Sequence, residues 1–388
     1  MTFSRADVGY LRSDTGAAAL REVADLALTD ATRVADIAAA RTRFGDRAPA
    51  LVETTLLRRR AGDKLPGTAD WLFTDEALQQ ASAAPVARHR AVRLSGAVVH
   101  DVTCSIGTEL AALRDTATQV IGSDIDPVRL AMARHNLGGT VGLCRADALT
   151  PISRAAVVVA DPGRRRGRQR RFNPRDYQPA LDALLDTYRG RDLVVKCAPG
   201  IDFASVRRLG FDGEIEVTSV AGTVREACLW SAGLAASGVR RRATLLDRGE
   251  QLTDAEPDDC AVRPAGRWIV DPDGAVVRAG LVRHYGARHG LWQLDPDIAY
   301  LSGDRLPAGV RGFEVLERLP YSEKGLRGAL AAADCGALEI LVRGVDVDPD
   351  ALRRRLRLRG SRPLSAIITR LGSGAAGRAT VFVCRSSR

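Results

Sequence analysis

Two patterns of apolar and polar residues divide the chain. Between residues 14 and 60, apolar positions recur every three or four residues and are interrupted at Gly45 and Pro49, which predicts several short amphipathic helices. A further helix is predicted after Thr74, because this N-cap residue precedes two acids. From about residue 97, short apolar runs alternate with amphipathic segments. This alternation predicts an α/β domain with a doubly wound, Rossmann-like parallel sheet.

Seven apolar runs are the predicted strands of this sheet. Five of them are AVVHDV, QVIGSD, VGLCRAD, AAVVVADP and DLVVKC, which begin at residues 97, 119, 141, 155 and 192. EIEVTSV and EACLW, from residues 214 and 226, complete the sheet, either in parallel or with an antiparallel edge strand. The segments ELAALRD, PVRLAMARHN and YQPALDALLDTY are predicted helices between the strands.

The remainder of the chain predicts two smaller regions. Residues 236–315 are rich in Gly, Pro and Asp, with the strand-like runs RWIVD and GAVVRAG, and predict a middle α+β domain. The last segment offers the helices GLRGALAAADCG and DPDALRRRLRLRG and the strands ALEILVRG, AIITRLG and ATVFVCR, which is typical of a second small α/β domain. The predicted domains are therefore 1–90 (helical), 91–235 (sheet), 236–315 (middle) and 316–388 (C-terminal).

Composition narrows the class of protein. The chain has 388 residues, of which 45% are hydrophobic and 27% charged, and no apolar run approaches the roughly 20 residues that span a membrane. The N-terminal residues include acids and do not resemble a secretion signal, so we expect a cytoplasmic protein without a membrane partner. Seven cysteines, an odd number without a CxxC spacing, argue against a disulfide framework and a zinc ribbon. No metal is expected.

Positive charge is concentrated at the C-terminus. The formal net charge is +10, and residues 316–388 contain fourteen basic and seven acidic residues. Only three of the 57 basic residues are lysine, which suggests a GC-rich genome and makes arginine abundance alone a poor argument for nucleic acid. The uneven distribution nevertheless favours a polyanion as partner of the C-terminal domain. A basic surface that only contacts solvent is the alternative.

Acids end four successive predicted strands: Asp101, Asp124, Asp147 and Asp161. Ligands bind at the carboxyl edge of parallel sheets, and the turn from Asp101 through Cys104 to Gly107 leads into a helix, whose N-terminus exposes N–H groups. Asp124 follows that turn by about 20 residues, where an acid can accept hydrogen bonds from ribose hydroxyls. The four acids together predict a nucleotide-like cofactor.

This order of motifs resembles the class I S-adenosylmethionine-dependent methyltransferases, and DVTCSIGTE is similar to the first motif of several RNA methyltransferases. The whole arrangement resembles the bacterial members with a C-terminal THUMP-like domain. The resemblance implies S-adenosylmethionine as cofactor, and it implies cofactor contacts in a helix before the first motif, at the four strand ends and in the first turn. These residues are Gln80, Ser82, Asp101, Cys104, Gly107, Asp124, Ile125, Asp147, Ala148 and Asp161.

THUMP domains are associated with RNA binding, so the resemblance implies methylation of a base in tRNA or rRNA. Asp161, Lys196 and Arg164 are the expected catalytic residues, with Asp161 orienting or deprotonating a ring nitrogen and Lys196 stabilising negative charge, holding a phosphate or pairing with an acid. The expected RNA contacts are Arg164, Arg165, Arg353, Arg354 and Arg357. DPGR at Asp161 lacks the second proline and the aromatic residue of enzymes that methylate exocyclic amines, which leaves the acceptor atom open.

Three alternatives remain open at this point. The order of motifs that leads to Cys197, in KCAP, is similar to that of the 5-methyluridine RNA methyltransferases. In those enzymes a cysteine attacks the pyrimidine ring. A methyltransferase that acts on a small molecule would explain the sheet but not the basic C-terminus. A protein that binds cofactor and RNA without catalysis is the third alternative, because Ser105 and Thr108 replace glycines of the first motif.

Overall fold

A computed structural model describes residues 3–164, 174–372 and 377–387. The chain forms two compact units, one of residues 1–237 with 246–249 and the other of residues 238–245 with 250–388. The predicted 1–90 and 91–235 domains thus fall within a single unit, because helices of the first segment share their core with Ile106 and Met132 of the second.

Helices form the beginning of the first unit, as the apolar spacing predicted. Three of these helices start after a side chain that accepts a backbone N–H bond, namely Ser4, Ser13 and Thr74. The apolar faces of the first five helices bury a common core that includes Leu51 and Leu57. The helices are α1 (Arg5–Leu11), α2 (Asp14–Ala24), α3 (Arg33–Phe44), α4 (Ala48–Ala61), α5 (Asp75–Gln80) and α6 (Ala84–Arg93).

The sheet of the first unit confirms the predicted fold class. Its strands follow the order β8-β9-β7-β4-β1-β2-β3, with parallel pairing from β7 to β3 and β9 antiparallel to both β7 and β8. The strands are β1 (Val98–Asp101), β2 (Gln119–Asp124), β3 (Gly142–Arg145), β4 (Val157–Ala160), β7 (Asp192–Cys197), β8 (Gly213–Val220) and β9 (Thr223–Ser231), and a separate two-stranded ribbon pairs β5 (Gly163–Arg164) with β6 (Tyr177–Gln178).

The antiparallel strand β9 is internal to the sheet, whereas the sequence predicted either parallel strands or an antiparallel strand at an edge. Two residues, Ala221 and Gly222, connect β8 to β9 with positive φ angles of 50° and 73°. Such a two-residue hairpin turn matches the twist of antiparallel strands. It folds β9 back between β8 and β7.

Apolar side chains of β4 alternate between two cores, which is the expected result for a strand covered on both faces. Val158 and Ala160 pack in one cluster, and Val157 and Val159 in the other.

The helices that follow the strands are α7 (Thr108–Leu113), α8 (Pro127–Asn136), α9 (Leu181–Thr187) and α10 (Phe203–Arg208). All strand ends that carry the predicted acids therefore lie at one edge of a buried sheet.

The second unit contains a seven-stranded sheet of order β13-β14-β12-β15-β18-β17-β16. Its strands are β12 (Trp268–Val270), β13 (Trp292–Asp295), β14 (Ile298–Gly303), β15 (Phe313–Pro320), β16 (Cys335–Arg343), β17 (Arg362–Leu371) and β18 (Arg378–Ser386), and β10 (Arg241–Leu245) pairs with β11 (Glu250–Thr253). The helices are α11 (Gly274–Arg278), α12 (Val282–His289), α13 (Glu323–Ala332) and α14 (Pro349–Leu356).

Two expectations for this unit differ from the structure. The predicted boundary between 315 and 316 lies inside β15, because strands from both predicted domains share one sheet. The run GAVVRAG is helix α11 and not a strand. The carboxylate of Asp273 accepts a hydrogen bond from the N–H of Ala275 and so caps the helix.

No helix in the described part of the chain is long and apolar enough to cross a membrane. Within residues 3–164, 174–372 and 377–387, no group of three or more His, Cys, Asp or Glu side chains is arranged to hold a metal ion.

Candidate active site

The predicted acids surround one cavity of about 600 Å³ at the carboxyl edge of the first unit's sheet, which we call the cofactor cavity. Eight of the ten predicted cofactor residues line it: Gln80, Asp101, Cys104, Asp124, Ile125, Asp147, Ala148 and Asp161. Gly107 and Ser82 do not. Sequence spacing thus located this cavity, although the loop after β3 and helix α5 reach it only through tertiary packing.

The turn after β1 is held tightly against the neighbouring strand. Asp101 is buried and accepts a hydrogen bond from the Thr103 N–H at 3.0 Å. Burial raises the pKa of Asp101 to about 7. Ser105 adopts a positive φ of 50° and its N–H donates to Asp124 at 2.9 Å. Gly107, the N-cap residue before α7, has φ 89°, a left-handed conformation that favours glycine.

Asp124 connects this turn to the next strand. Its carboxylate also accepts the Asp126 N–H at 2.9 Å, and burial raises its pKa. Beside it, Ile125 is 61% exposed and lines the cavity, so it offers apolar surface to a ligand. Ser105 Oγ, also in the lining, is buried and has no hydrogen-bond partner in the described structure. Carboxylates, an unsatisfied hydroxyl and apolar surface together fit the polar and ring portions of S-adenosylmethionine.

A second cavity of about 880 Å³, which we call the acceptor cavity, adjoins the first. Both cavities are lined by Gln80, Ala81, Asp161, Gly163 and Lys196. Ser82 lines only the acceptor cavity. Its hydroxyl donates to Glu226 at 2.8 Å.

Lys196 and Asp161 form an ion pair of 2.6 Å in the wall that both cavities share. The pairing of Lys196 with an acid, one of the three roles expected from the sequence, is therefore present. Lys196 also lies 3.7 Å from buried Glu109, which binds Arg90 through two hydrogen bonds of 2.7 and 2.9 Å. Arg90 contacts Glu226 as well. Burial opposes charge on Lys196, but Asp161 and Glu109 raise its pKa overall.

Sequence reasoning missed Arg90, Glu109 and Glu226. One signal was available, because Arg90 follows Val86 by four residues and precedes Leu94 by four. That spacing places an arginine on the apolar face of α6, where a charge requires buried partners. Burial by itself would raise the pKa of Glu109, but Arg90 and Lys196 lower it.

Comparisons with known proteins identify the family of this chain. Two Mycobacterium tuberculosis proteins, from strains CDC 1551 / Oshkosh and ATCC 25618 / H37Rv, are each described as an uncharacterized S-adenosylmethionine-dependent methyltransferase. Each is 72% identical to this chain over 357 residues, which cover 90% of this chain and all of the relative. The chain belongs to the S-adenosylmethionine-dependent methyltransferases. The predicted class of enzyme and the predicted cofactor are confirmed.

Two family models match the ends of this methyltransferase, and one solved structure is similar to its whole fold. Residues 310–386 match the family model "THUMP domain-like", and residues 4–61 match "Domain of unknown function (DUF8688)". A crystal structure of a Porphyromonas gingivalis W83 protein, described as a proposed methyltransferase, has a TM-score of 0.79 and 20% identity over the full length of both chains. At this identity the similarity supports the fold.

Cys197 lines the methyltransferase's acceptor cavity but is buried, and its Sγ lies 3.7 Å from the Val195 carbonyl oxygen. Burial raises the pKa of the thiol well above its usual value. A nucleophilic cysteine requires the opposite shift.

The arginines predicted to contact RNA differ in their position, pairing and exposure. The backbone of Arg164 lies in β5, while its side chain and Arg165 lie outside the described residues. Arg353 pairs with Asp350 at 2.6 Å. Arg354 is exposed on α14. Helix α14 ends at Leu356, so Arg357 is not on the helix as expected but is its C-cap residue, with a left-handed φ of 50°.

Proposed function

We propose that this methyltransferase methylates a base in structured RNA, either tRNA or rRNA. The observation that carries the proposal is the ion pair of Asp161 and Lys196 in the wall common to two cavities. Transfer between two bound molecules requires two adjoining sites with reactive groups at their junction. A protein that only bound the cofactor would not need the second site.

The cofactor cavity has a residue for each part of S-adenosylmethionine. The cofactor, when bound, supplies a methyl group on a positively charged sulfur. Asp124 accepts hydrogen bonds from the ribose hydroxyls, and Ile125 and Ala148 contact the adenine, with Asp147 near its amine. Buried Asp101 and Cys104 contact the methionine portion. The carboxylates of Asp101 and Asp124 attract a positively charged ligand.

At the junction of the two cavities, Asp161 and Lys196 have different roles toward the acceptor. Lys196 binds the Oδ2 atom of Asp161, and in the described structure the Oδ1 atom has no partner. Oδ1 accepts a hydrogen bond from the acceptor nitrogen, orients it and takes its proton as methylation proceeds. The Lys196 ammonium stabilises negative charge on the acceptor ring. Arg164, whose β5 backbone follows this site, assists in binding the acceptor.

RNA is the proposed acceptor because residues 310–386 match the THUMP domain-like model and carry most of the excess positive charge. Arg354 and Arg357 are exposed in this part of the chain and contact phosphates in the proposal, together with Arg353, Arg164 and Arg165. The cytoplasm is the proposed location.

Incubation with tritiated S-adenosylmethionine and total RNA from a strain that lacks the protein tests the proposal. We expect tritium in one nucleoside, identified after digestion and chromatography. Asp161→Asn should lower the rate at least about a hundredfold, as expected for loss of a general base, whereas the exposed control Asp186→Asn should not change it. Label recovered only in small molecules, or none in RNA, would contradict RNA as the acceptor.

A further inference from the structure

Lysine is rare in this chain, yet two of its three lysines line one cavity. The 57 basic residues include only Lys64, Lys196 and Lys324 as lysine. Lys64 and Lys196 both line the acceptor cavity. Lysine has a compact ammonium with three donors, whereas arginine has a wide planar fork. A compact ammonium group in this lining suits a ligand that accepts hydrogen bonds.

Lys64 is fixed at the rim by the end of a short helix. Its Nζ donates to the carbonyl oxygens of Leu78 and Gln79 at 2.7 and 3.0 Å, in the last turn of α5. Two of the three ammonium hydrogens are thereby used, and one remains for a ligand. Because the ammonium is tethered to backbone, its position in the cavity is predetermined before a ligand arrives.

Arg225, at the start of β9, is a third cation in the lining, with Lys64 and Lys196. It is exposed, and no hydrogen bond or ion pair holds its guanidinium among the described residues. A guanidinium binds phosphate oxygens in pairs. Of the three acids in the same lining, Asp161 and Glu226 are already bound to Lys196 and Arg90, and Asp63 is exposed.

More positive than negative charges act on Lys64. Burial lowers the pKa of Lys64, and the charges of Lys196, Arg60 and Arg225 lower it further, while Asp161 opposes the shift. Like charges close together disfavour one another. A bound anion would relieve this repulsion, which is why unbalanced clusters of charge mark binding sites.

We infer that the acceptor cavity binds a phosphate group of the substrate between Lys64 and Arg225, while the base of the same nucleotide reaches Asp161 and Lys196. The inference rests on the proposed function and specifies its acceptor as a nucleoside monophosphate unit, recognised by its phosphate as well as its base. The phosphate belongs either to an RNA chain or to a free nucleotide, and the test separates these sources.

The test is amine acylation of the full chain at pH 8, with S-adenosylhomocysteine saturating the cofactor cavity. Mass spectrometry measures the acylation of each lysine separately. Without acceptor, Lys64 and exposed Lys324 should react, and buried Lys196 should not. A mixture of nucleoside 5′-monophosphates should decrease acylation of Lys64 at least about threefold and leave Lys324 unchanged. Nucleosides without phosphate should not protect Lys64. Equal protection by nucleosides, or none by monophosphates and RNA, would overturn the inference.

Arg225→Ala provides a second readout that does not depend on labelling. It should abolish protection of Lys64 and raise the KM for RNA about tenfold with kcat and cofactor affinity unchanged, while the exposed control Arg189→Ala keeps wild-type values. An unchanged KM would contradict the inference even if RNA is methylated. Protection by monophosphates with no methyl transfer to RNA would retain the phosphate site and reject RNA as the acceptor.

Discussion

At the scale of single residues, Asp124 both fixes the turn after β1 and faces the cofactor cavity. Its carboxylate accepts the N–H groups of Ser105 and Asp126. A hydrogen bond to a charged group contributes about 1.5–3 kcal/mol, so Asp124→Ala should weaken S-adenosylmethionine binding about ten- to a hundredfold in calorimetry. Exposed Asp115→Ala is the control. An unchanged Kd for Asp124→Ala would exclude the ribose assignment.

Asp101 should make cofactor binding depend on pH. Burial raises its pKa to about 7, so the side chain is mostly protonated at pH 6 and mostly ionised at pH 8. An ionised carboxylate attracts the positively charged cofactor. We expect the affinity for S-adenosylmethionine to rise several-fold between these pH values, and Asp101→Asn to remove most of this dependence. An identical pH profile for the variant would show that another group titrates.

Cys197 should be dispensable. Its thiol is buried with a raised pKa, and thiolate is the nucleophilic form. Cys197→Ser should therefore retain most of the methyl transfer activity, measured with the tritiated cofactor. A covalent adduct with RNA that contains 5-fluorouracil would instead establish the cysteine mechanism.

At the scale of elements, the start of α7 requires glycine. Gly107 has φ 89°, and an added Cβ would lie 3.0 Å from Leu137 Cδ1. Gly107→Ala should therefore lower the free energy of unfolding by about 1–2 kcal/mol, visible as a lower Tm. Gly9→Ala, inside α1 with open space around the new Cβ, should leave Tm unchanged or raise it. A wild-type Tm for Gly107→Ala would contradict this account of the turn.

At the scale of the whole molecule, the excess of arginine near the C-terminus should govern RNA affinity. Deletion of residues 316–388 cannot test this, because it would remove β16, β17 and β18 from a sheet that also contains β12 to β14. Charge reversal keeps the sheet. Arg354→Glu with Arg357→Glu should weaken RNA binding and reduce its log–log salt slope by about 1.4–1.8, which is 0.7–0.9 for each phosphate contact.

Filter binding at several salt concentrations measures this slope. The double charge reversal of Arg33 and Arg43 on α3 changes the net charge equally and should leave the slope unchanged. If the Arg354 and Arg357 variant keeps the wild-type slope, these arginines only contact solvent, and the arginines after Asp161 become the better RNA contacts.

The sequence by itself determined the strands of the first sheet and the edge where the acids meet. Runs such as VVVA in β4 are apolar on both faces and are therefore recognisable without tertiary information, and parallel strands necessarily bring their carboxyl ends to one edge. Asp101, Asp124, Asp147 and Asp161 could be predicted to line a cavity for this reason. The helix start after Thr74 could also be predicted, because capping is local.

Only the tertiary structure decided which residues meet across long separations in sequence. Arg90 contacts Glu226, which is 136 residues away, and Lys64 reaches the acceptor cavity from the helical segment. No periodicity encodes such contacts, since they depend on how whole elements pack. Packing likewise placed β9 inside the sheet and joined two predicted domains through β15. The cofactor cavity is thus largely a property of local pattern, whereas the acceptor cavity exists only once the chain is folded.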